Sequence, residues 1–415
     1  MKIKVDIEHL EVGMYVSELD RPWLESPFLF QGFLIETEED LSKLREHCAY
    51  VYVDEQKSRD HIDIRRFLEV RVSSVSNQQR SKISFDYKKQ STPEEFKRTI
   101  STAIETNKRA RAGMIKILDD FRLGRSVNTD ETRAMVSDLV SSITTNSNTT
   151  LWLTNLRKRD EYTANHCLNV TILSLAFARH LGYSIEMMKA IGEGAMLHDV
   201  GLTKVAVEIL RKKDKLSDEE FSIIKKHPSD GANVLRLTGK ISEQALQIIR
   251  SHHERINGSG YPDGLKDEEI PEYVMIVSIA DVYDTMTSDR NYREGILPQD
   301  ALTAMHKDSV EEFGNALMEE FIKCIGIYPI GSLVLLNTGA LGIVMSSNPD
   351  ARLKPLVLLV RDDHGKTLMP RKLVNLAAMA EKAGSRWSIS RMVNPKDYGI
   401  DISAVAAEEM LFDPQ

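Results

Sequence analysis

The sequence predicts a multidomain, mainly α-helical protein, in which an all-helical central domain is flanked by a small β-rich N-terminal domain and a small C-terminal β module. Three observations carry that expectation. The chain has 415 residues, enough for several domains of ordinary size. Across residues 151–328 apolar residues recur at helical spacing, with His166, Val170, Leu173 and Phe177 sharing one face. On either side the chain breaks into short β-prone runs separated by Pro, Gly and polar turns.

Residues 1–65 form the expected β-rich domain. Val12–Val16 and Tyr50–Val53 are β-prone, RPWLESPFLFQGFLI between them is rich in Pro, Gly and aromatics, and EEDLSKLREH has helical periodicity. Residues 66–150 read as a linker and helical connector. The stretch 66–92 is polar, Thr92, Pro93 and Glu94 open a helix carrying Phe96, Ile100, Ala103 and Ile104, and a further helix carries Met135, Leu139 and Ile143. SSITTNSNTT, 141–150, is poor in apolar residues and marks a candidate boundary. In 151–328, Ser217 with Glu220 forms a capping box, Ser242 opens a helix that runs to His252, and Pro271 starts one through Val274, Val277 and Asp281. From 329 to 415, SLVLLNTGALGIVM and PLVLLVRDDHGKTLMP suggest strands and tight turns in a small β-barrel-like module.

With 54 basic and 62 acidic residues the net charge is −8, which argues against duplex nucleic acid or an anionic membrane as the main partner. MKIKVDIEHL lacks the apolar core of a signal peptide, and no run of about 18 apolar residues is present to span a membrane. Cys48, Cys167 and Cys324 lie far apart and form no disulfide framework or CxxC metal site. A cytoplasmic location is the expectation.

His166, His198, His227, His252 and His253 fall in the helical region together with Asp199 and Asp281. Imidazole and carboxylate suit a first-row metal, and Asp199 beside His198 can bridge two ions placed for attack on phosphorus. A single helical histidine is more often a core residue, and His-Asp pairs arise by chance, so spacing leaves both readings open. His9, His47, His61, His180, His306 and His364 are read as ordinary residues.

These motifs resemble the HD-GYP branch of the HD phosphohydrolase superfamily. HD is His198-Asp199, GYP is Gly260-Tyr261-Pro262 within HHERINGSGYP, and MLHDVG, KHPSDGANVL and ADVYDTMTSDRNYR follow the same order over residues 150–325. The segment GMYVSELDRPWLESPFLFQGFLI with YVYVD resembles a domain of unknown function often found ahead of HD-GYP domains. The resemblance implies a metal-dependent phosphodiesterase that linearises cyclic di-GMP to pGpG, some members continuing to GMP and some accepting cyclic GMP-AMP. It implies two divalent transition metals, iron or manganese. His166, His198, Asp199 and Asp281 would hold one, and Asp199 would bridge to a second completed by His227, His252 and His253. A bridging hydroxide would attack phosphorus. Arg290 and Arg293 match the family's phosphate-contacting basic residues.

Two positions depart from the family pattern. The family reads HDxGK, with the lysine on substrate phosphate, but Leu202 stands at that position; Lys204 either replaces its charge or is an ordinary exposed lysine. Members with three metals carry a glutamate four residues before the first histidine, where this chain has Tyr162; Glu161 is one residue, roughly 100° of helix, out of place. Two metals are therefore expected. Gly258, Gly260 and Gly264 let the GYP turn fold back and Pro262 stiffens it. Tyr261 either packs or meets the nucleotide, and Glu254 either orients a histidine or is solvated. Competing readings are an HD hydrolase of dNTP or ppGpp, and a weakly catalytic module that binds cyclic di-GMP or docks a GGDEF cyclase through the GYP loop. A homodimer through the N-terminal domain is a further expectation.

Overall fold

The chain is described here from a computed structural model covering residues 2–20, 33–54, 57–58, 93–125, 128–155, 162–212, 214–289, 294–348, 351–381, 387–402, 404–405 and 408. It forms two compact units, 1–75 and 76–415. The expected polar linker at 66–92 lies outside the described residues.

The first unit contains β1 (Lys2–Asp6), β2 (Tyr15–Leu19), β3 (Phe33–Leu34), α1 (Glu38–His47) and β4 (Tyr50–Asp54). The sheet is antiparallel in the order β1-β4-β2-β3. β4 alternates as a half-buried strand should, with Val51 and Val53 inside and Tyr50 and Tyr52 partly exposed. Thr37 and Asp40 close the capping box that starts α1. The sequence pattern missed β1, because KIKVD offers too short an apolar alternation to register. The run Val12–Val16 becomes strand only from Tyr15, after Gly13 turns the chain with φ 104.

The second unit opens with the helices α2 (Pro93–Arg122), α3 (Thr129–Thr145), α4 (Ser147–Trp152), α5 (Tyr162–His180) and α6 (Ile185–Leu197). It continues through α7 (Val207–Leu210), α8 (Asp218–Ile224), α9 (His227–Leu237), α10 (Glu243–Ser251), α11 (Glu272–Thr287), α12 (Pro298–Glu312) and α13 (Asn315–Ile325). The starts expected at Ser217 and Ser242 hold: both side chains accept backbone N–H groups, from Glu220 and Ala245. The segment 141–150 is helical rather than a break. Asn146 interrupts it, ending α3 and accepting from the N–H groups of Asn148 and Thr149 to start α4. One apolar core runs from Phe96 to Val405, so helices on both sides of residue 150 pack together.

α5 and α11 are buried around almost their whole circumference, the mark of central helices. They pack on each other and α5 also lies along α6. α6 comes close to α10 because Gly194 has no side chain; a Cβ there would meet Ile248 at 2.7 Å. That close approach carries the C-terminal ends of α6 and α10 toward one point.

The C-terminal strands are β5 (Leu333–Leu336), β6 (Leu341–Ser346), β7 (Leu356–Arg361) and β8 (Thr367–Asn375), followed by α14 (Leu376–Glu381) and β9 (Ile389–Met392). They form one antiparallel sheet in the order β8-β7-β6-β5-β9. Among the described residues β8 and β9 do not pair, so an open five-stranded sheet stands where the sequence suggested barrel-like closure. The near-continuous apolar runs of β5, β6 and β7 follow from burial on both faces. Val344, Val357 and Leu359 form a small core on one side, while Ile343, Met345, Leu358 and Val360 join the helical core on the other.

Phe177 of α5 is fully buried and its ring packs edge-on against Phe321 of α13 at 5.2 Å. Phe177→Ala is expected to lower stability by about 3–5 kcal/mol through the cavity it leaves, read as a reduced denaturant midpoint with an unchanged slope.

Candidate metal centre

Five helices deliver the proposed ligands. His166 sits in the first turns of α5 and Asp281 in the middle of α11. His198 ends α6, His227 begins α9, and His252 and His253 follow α10. Gly201 lets the turn after Asp199 press on α9, since a Cβ would lie 2.0 Å from the His227 carbonyl oxygen. At the end of α10 the consecutive rings of His252 and His253 lie 4.2 Å apart.

Asp199 is the hub. Its Oδ1 lies 3.2 Å from His227 Nε2 and 3.8 Å from His252 Nε2, and its Oδ2 lies 3.5 Å from His198 Nε2 and 3.7 Å from His166 Nε2. Asp281 also spans the two groups. Its Oδ1 is 3.1 Å from His166 Nε2 and its Oδ2 is 3.9 Å from His253 Nδ1. The sequence reading had placed Asp281 with His166, His198 and Asp199, and not with His253. Ligand atoms of Asp199, His227, His252 and His253 lie within 4.8 Å of one another, as do those of His166, His198 and Asp199.

The imidazoles are aimed by their other nitrogens. His198, His227 and His252 each turn Nδ1 to the carbonyl three residues earlier, at 2.7, 2.8 and 3.0 Å. A carbonyl only accepts, so each Nδ1 carries a proton and each ring turns its Nε2 inward. His166 Nδ1 donates instead to Asp284 Oδ2 at 2.8 Å, and Asn169 donates to the other Asp284 oxygen at 2.9 Å. His198 Nε2 is buried and makes no hydrogen bond. A buried orphan nitrogen facing a carboxylate is what a metal ligand looks like before the ion binds, so the residues fit a divalent ion.

The charges agree. Burial works against ionising Asp199, but His198, His227 and His166 hold its carboxyl well below the usual carboxylate range. Burial pushes His252 well down, aided by His253, His198 and His227, and brings His253 to about 3. These rings stay neutral and basic toward a metal. His166 and His227 are the opposite case: burial disfavours their charge, yet hydrogen bonds to Asp281 and Asp284 raise His166 well above an ordinary histidine, and the contact with Asp199 raises His227. That proton must leave for His166 Nε2 to coordinate, so metal uptake is coupled to proton release.

The GYP turn is held by a residue whose role the sequence misjudged. Glu254 neither orients a histidine nor meets solvent. It is fully buried and accepts from the N–H groups of Asp263, Gly264 and Leu265 at 2.7, 3.1 and 3.0 Å. Gly258 and Gly264 have φ of 78 and 67, and a Cβ on Gly260 would lie 2.4 Å from the Glu254 Cα. Arg250 grips Asp263 through two hydrogen bonds, and the Tyr261–Pro262 bond is cis. The turn lays the Tyr261 ring on His253 with centroids 4.7 Å apart.

Tyr162 stacks on His166, 5.8 Å away and nearly parallel, and Glu161 lies outside the described residues. Lys204 is exposed at the end of the turn that follows Asp199. Arg290 and Arg293 lie outside the described residues, though Lys396 of the C-terminal module pairs with the flanking Asp289 and Glu294 at 3.2 and 2.8 Å. His180 pairs with Glu320 at 2.9 Å, remote from the centre in the fold of α5. Asp284 went unread in the sequence, although its three-residue spacing from Asp281 puts both on one face of α11.

A helical domain in which one His-Asp pair joins two histidine groups defines an HD-domain protein. A profile described as HD domain matches residues 138–317, a domain of unknown function (DUF3391) matches 2–132, and a KOW domain associated with HD domain matches 333–399. The chain is 31% identical over 378 residues to a cyclic di-GMP phosphodiesterase of Pseudomonas aeruginosa, covering 90% of this chain and 88% of that one. It therefore belongs to the HD-GYP family. A cyclic di-GMP phosphodiesterase of Thermotoga maritima is 36% identical over 166 residues, 40% of this chain and 45% of its own length. A 3'3'-cGAMP-specific phosphodiesterase of Vibrio cholerae is 32% identical over 150 residues, 36% of this chain and 35% of its own length. An HD domain with this His/Asp cluster is equipped for divalent-metal hydrolysis.

Glu254→Gln keeps the size of the side chain but removes its charge and one of its acceptor oxygens. It is expected to cost about 1–3 kcal/mol and to raise amide exchange at Asp263–Leu265 selectively, read by hydrogen exchange.

Proposed function

We propose that the chain is a metal-dependent phosphodiesterase that opens cyclic di-GMP to pGpG. The observation that carries this reading is Asp199, a buried carboxylate whose two oxygens face two separate groups of imidazoles. One ion would sit with His166, His198, Asp199 and Asp281, the other with Asp199, His227, His252 and His253. When bound, the two ions, iron or manganese, supply Lewis acidity toward the phosphate oxygens and activate water at neutral pH.

The chain's own residues do the rest. Carbonyl-anchored histidines hold Nε2 toward the site without rearrangement. Asp284 fixes the His166 ring, as carboxylates commonly do behind a metal-bound histidine. Tyr261 on His253 forms part of the rim, and Arg290 and Arg293 are assigned to the substrate phosphates, where a planar fork suits two oxygens. Cyclic GMP-AMP is the second substrate reading, favoured by the relative that carries that specificity. Tyr162 at the position of a third-metal glutamate supports two ions rather than three.

Protein purified without oxygen and loaded with Fe(II) or Mn(II) is expected to bind about two ions per chain and to release pGpG, with cyclic GMP-AMP assayed alongside. His198→Ala and Asp199→Ala should abolish turnover. Nucleotide binding without pGpG from any metal form would sink the enzyme reading. Asp284→Asn should weaken metal affinity by about 10–100-fold, measured by competition with a chelator.

A further inference from the structure

We propose that Lys225 supplies the substrate-facing cation that Leu202 does not. The inference rests on the phosphodiesterase reading above and names a further phosphate contact for it. Lys225 caps the C-terminal end of α8 and precedes His227 by two residues. Its ammonium lies 4.7 Å from the centre of the Phe221 ring and 5.4 Å from that of Tyr261. Tyr261 in turn lies on His253, 4.7 Å between ring centres. The ammonium is thus one aromatic ring away from the His/Asp cluster.

Three further facts turn proximity into a role. Among the described residues no carboxylate pairs with Lys225, so ring faces alone hold its charge. Such contacts are worth roughly 0.5–1 kcal/mol at an exposed site, weak enough for a phosphodiester anion to draw the ammonium onto its oxygens. The two arginines beside the GYP turn are otherwise engaged: Arg250 is committed to Asp263 and Arg255 to Glu312. Position 202 also belongs to a turn that borders His227. Gly201 presses on the His227 carbonyl, and the turn Val200–Lys204 packs along α9. A cation entering from residue 202 or from residue 225 therefore reaches the neighbourhood of His227. An ammonium suits the task because it is a compact charge with three donors on a flexible stem, free to move from ring faces to phosphate. Phe221 is 44% exposed, which leaves the outer end of this stack open to an incoming ligand.

The test uses the metal-loaded full chain with cyclic di-GMP and four variants: Lys225→Met, Lys225→Arg, Leu202→Lys and the double Lys225→Met/Leu202→Lys. Lys225→Met keeps the apolar stem and removes the charge. It should raise KM about tenfold, the scale of one charge-assisted hydrogen bond, with kcat and metal content little changed and a flatter dependence of KM on salt. Lys225→Arg should retain most of the affinity. Adding Leu202→Lys to Lys225→Met should restore it, which a purely structural role for Lys225 would not allow. An unchanged KM in Lys225→Met overturns the proposal. So does a raised KM that Leu202→Lys leaves raised, because it assigns Lys225 to clamping the Phe221–Tyr261 stack. Absence of turnover in the wild type sinks the phosphodiesterase reading itself and this inference with it. Turnover that is indifferent to Lys225 sinks only the inference.

Discussion

The structure of the second unit is organised around one buried carboxylate. Removing Asp199 from water is costly unless positive charge or hydrogen bonds surround it. The chain answers with His227 and His252 on one oxygen and His198 and His166 on the other. Those rings come from four helices, so the helices have to converge for the carboxylate to be tolerated at all. The same arrangement that stabilises the anion prepares a site for cations, because each carbonyl-anchored ring turns its Nε2 to the space beside Asp199.

Helix packing delivers this convergence with small residues and two fully buried helices. α5 and α11 present apolar surface on every side, which lets them lie in the centre and bring His166 and Asp281 together. Gly194 and Gly201 remove the side chains that would hold α6 away from α10 and α9. Those approaches put the end of α6, where His198 and Asp199 lie, against the end of α10, where His252 and His253 lie. Three candidate ligands at helix ends are fixed by backbone: His198 and His252 tie Nδ1 to a carbonyl of the last turn of their own helix, and His227 ties Nδ1 to the last carbonyl of α8.

The GYP turn joins the centre to the surface through Glu254. A buried carboxylate that accepts three successive backbone N–H groups fixes the chain at Asp263–Leu265. This in turn places Tyr261 over His253 and, through Lys225, links the turn to α8. The C-terminal module contributes by packing one face of its sheet onto the helical core and by pairing Lys396, just after β9, with Asp289 and Glu294.

Much of this was legible in the sequence. Helix starts were visible because caps act over three or four residues, as at Ser217 and Ser242. The seven ligand candidates were visible because imidazole and carboxylate chemistry is carried by residue type, and HD, HH and GYP are local strings. Contacts between distant residues left no such trace. Nothing local says that Asp281 faces both His166 and His253, that Asp284 aims His166, or that Glu254 holds the GYP turn. Nor does the polar stretch 141–150 announce that Thr149 and Thr150 are buried: their hydroxyls bond the local Asn146 carbonyl, and Thr149 also meets Thr99 of α2, a neighbour that only the folded chain supplies. The sequence by itself determined which atoms could bind a metal. Tertiary structure alone decided which oxygen faces which ring, because that depends on how closely helices far apart in the chain can pack.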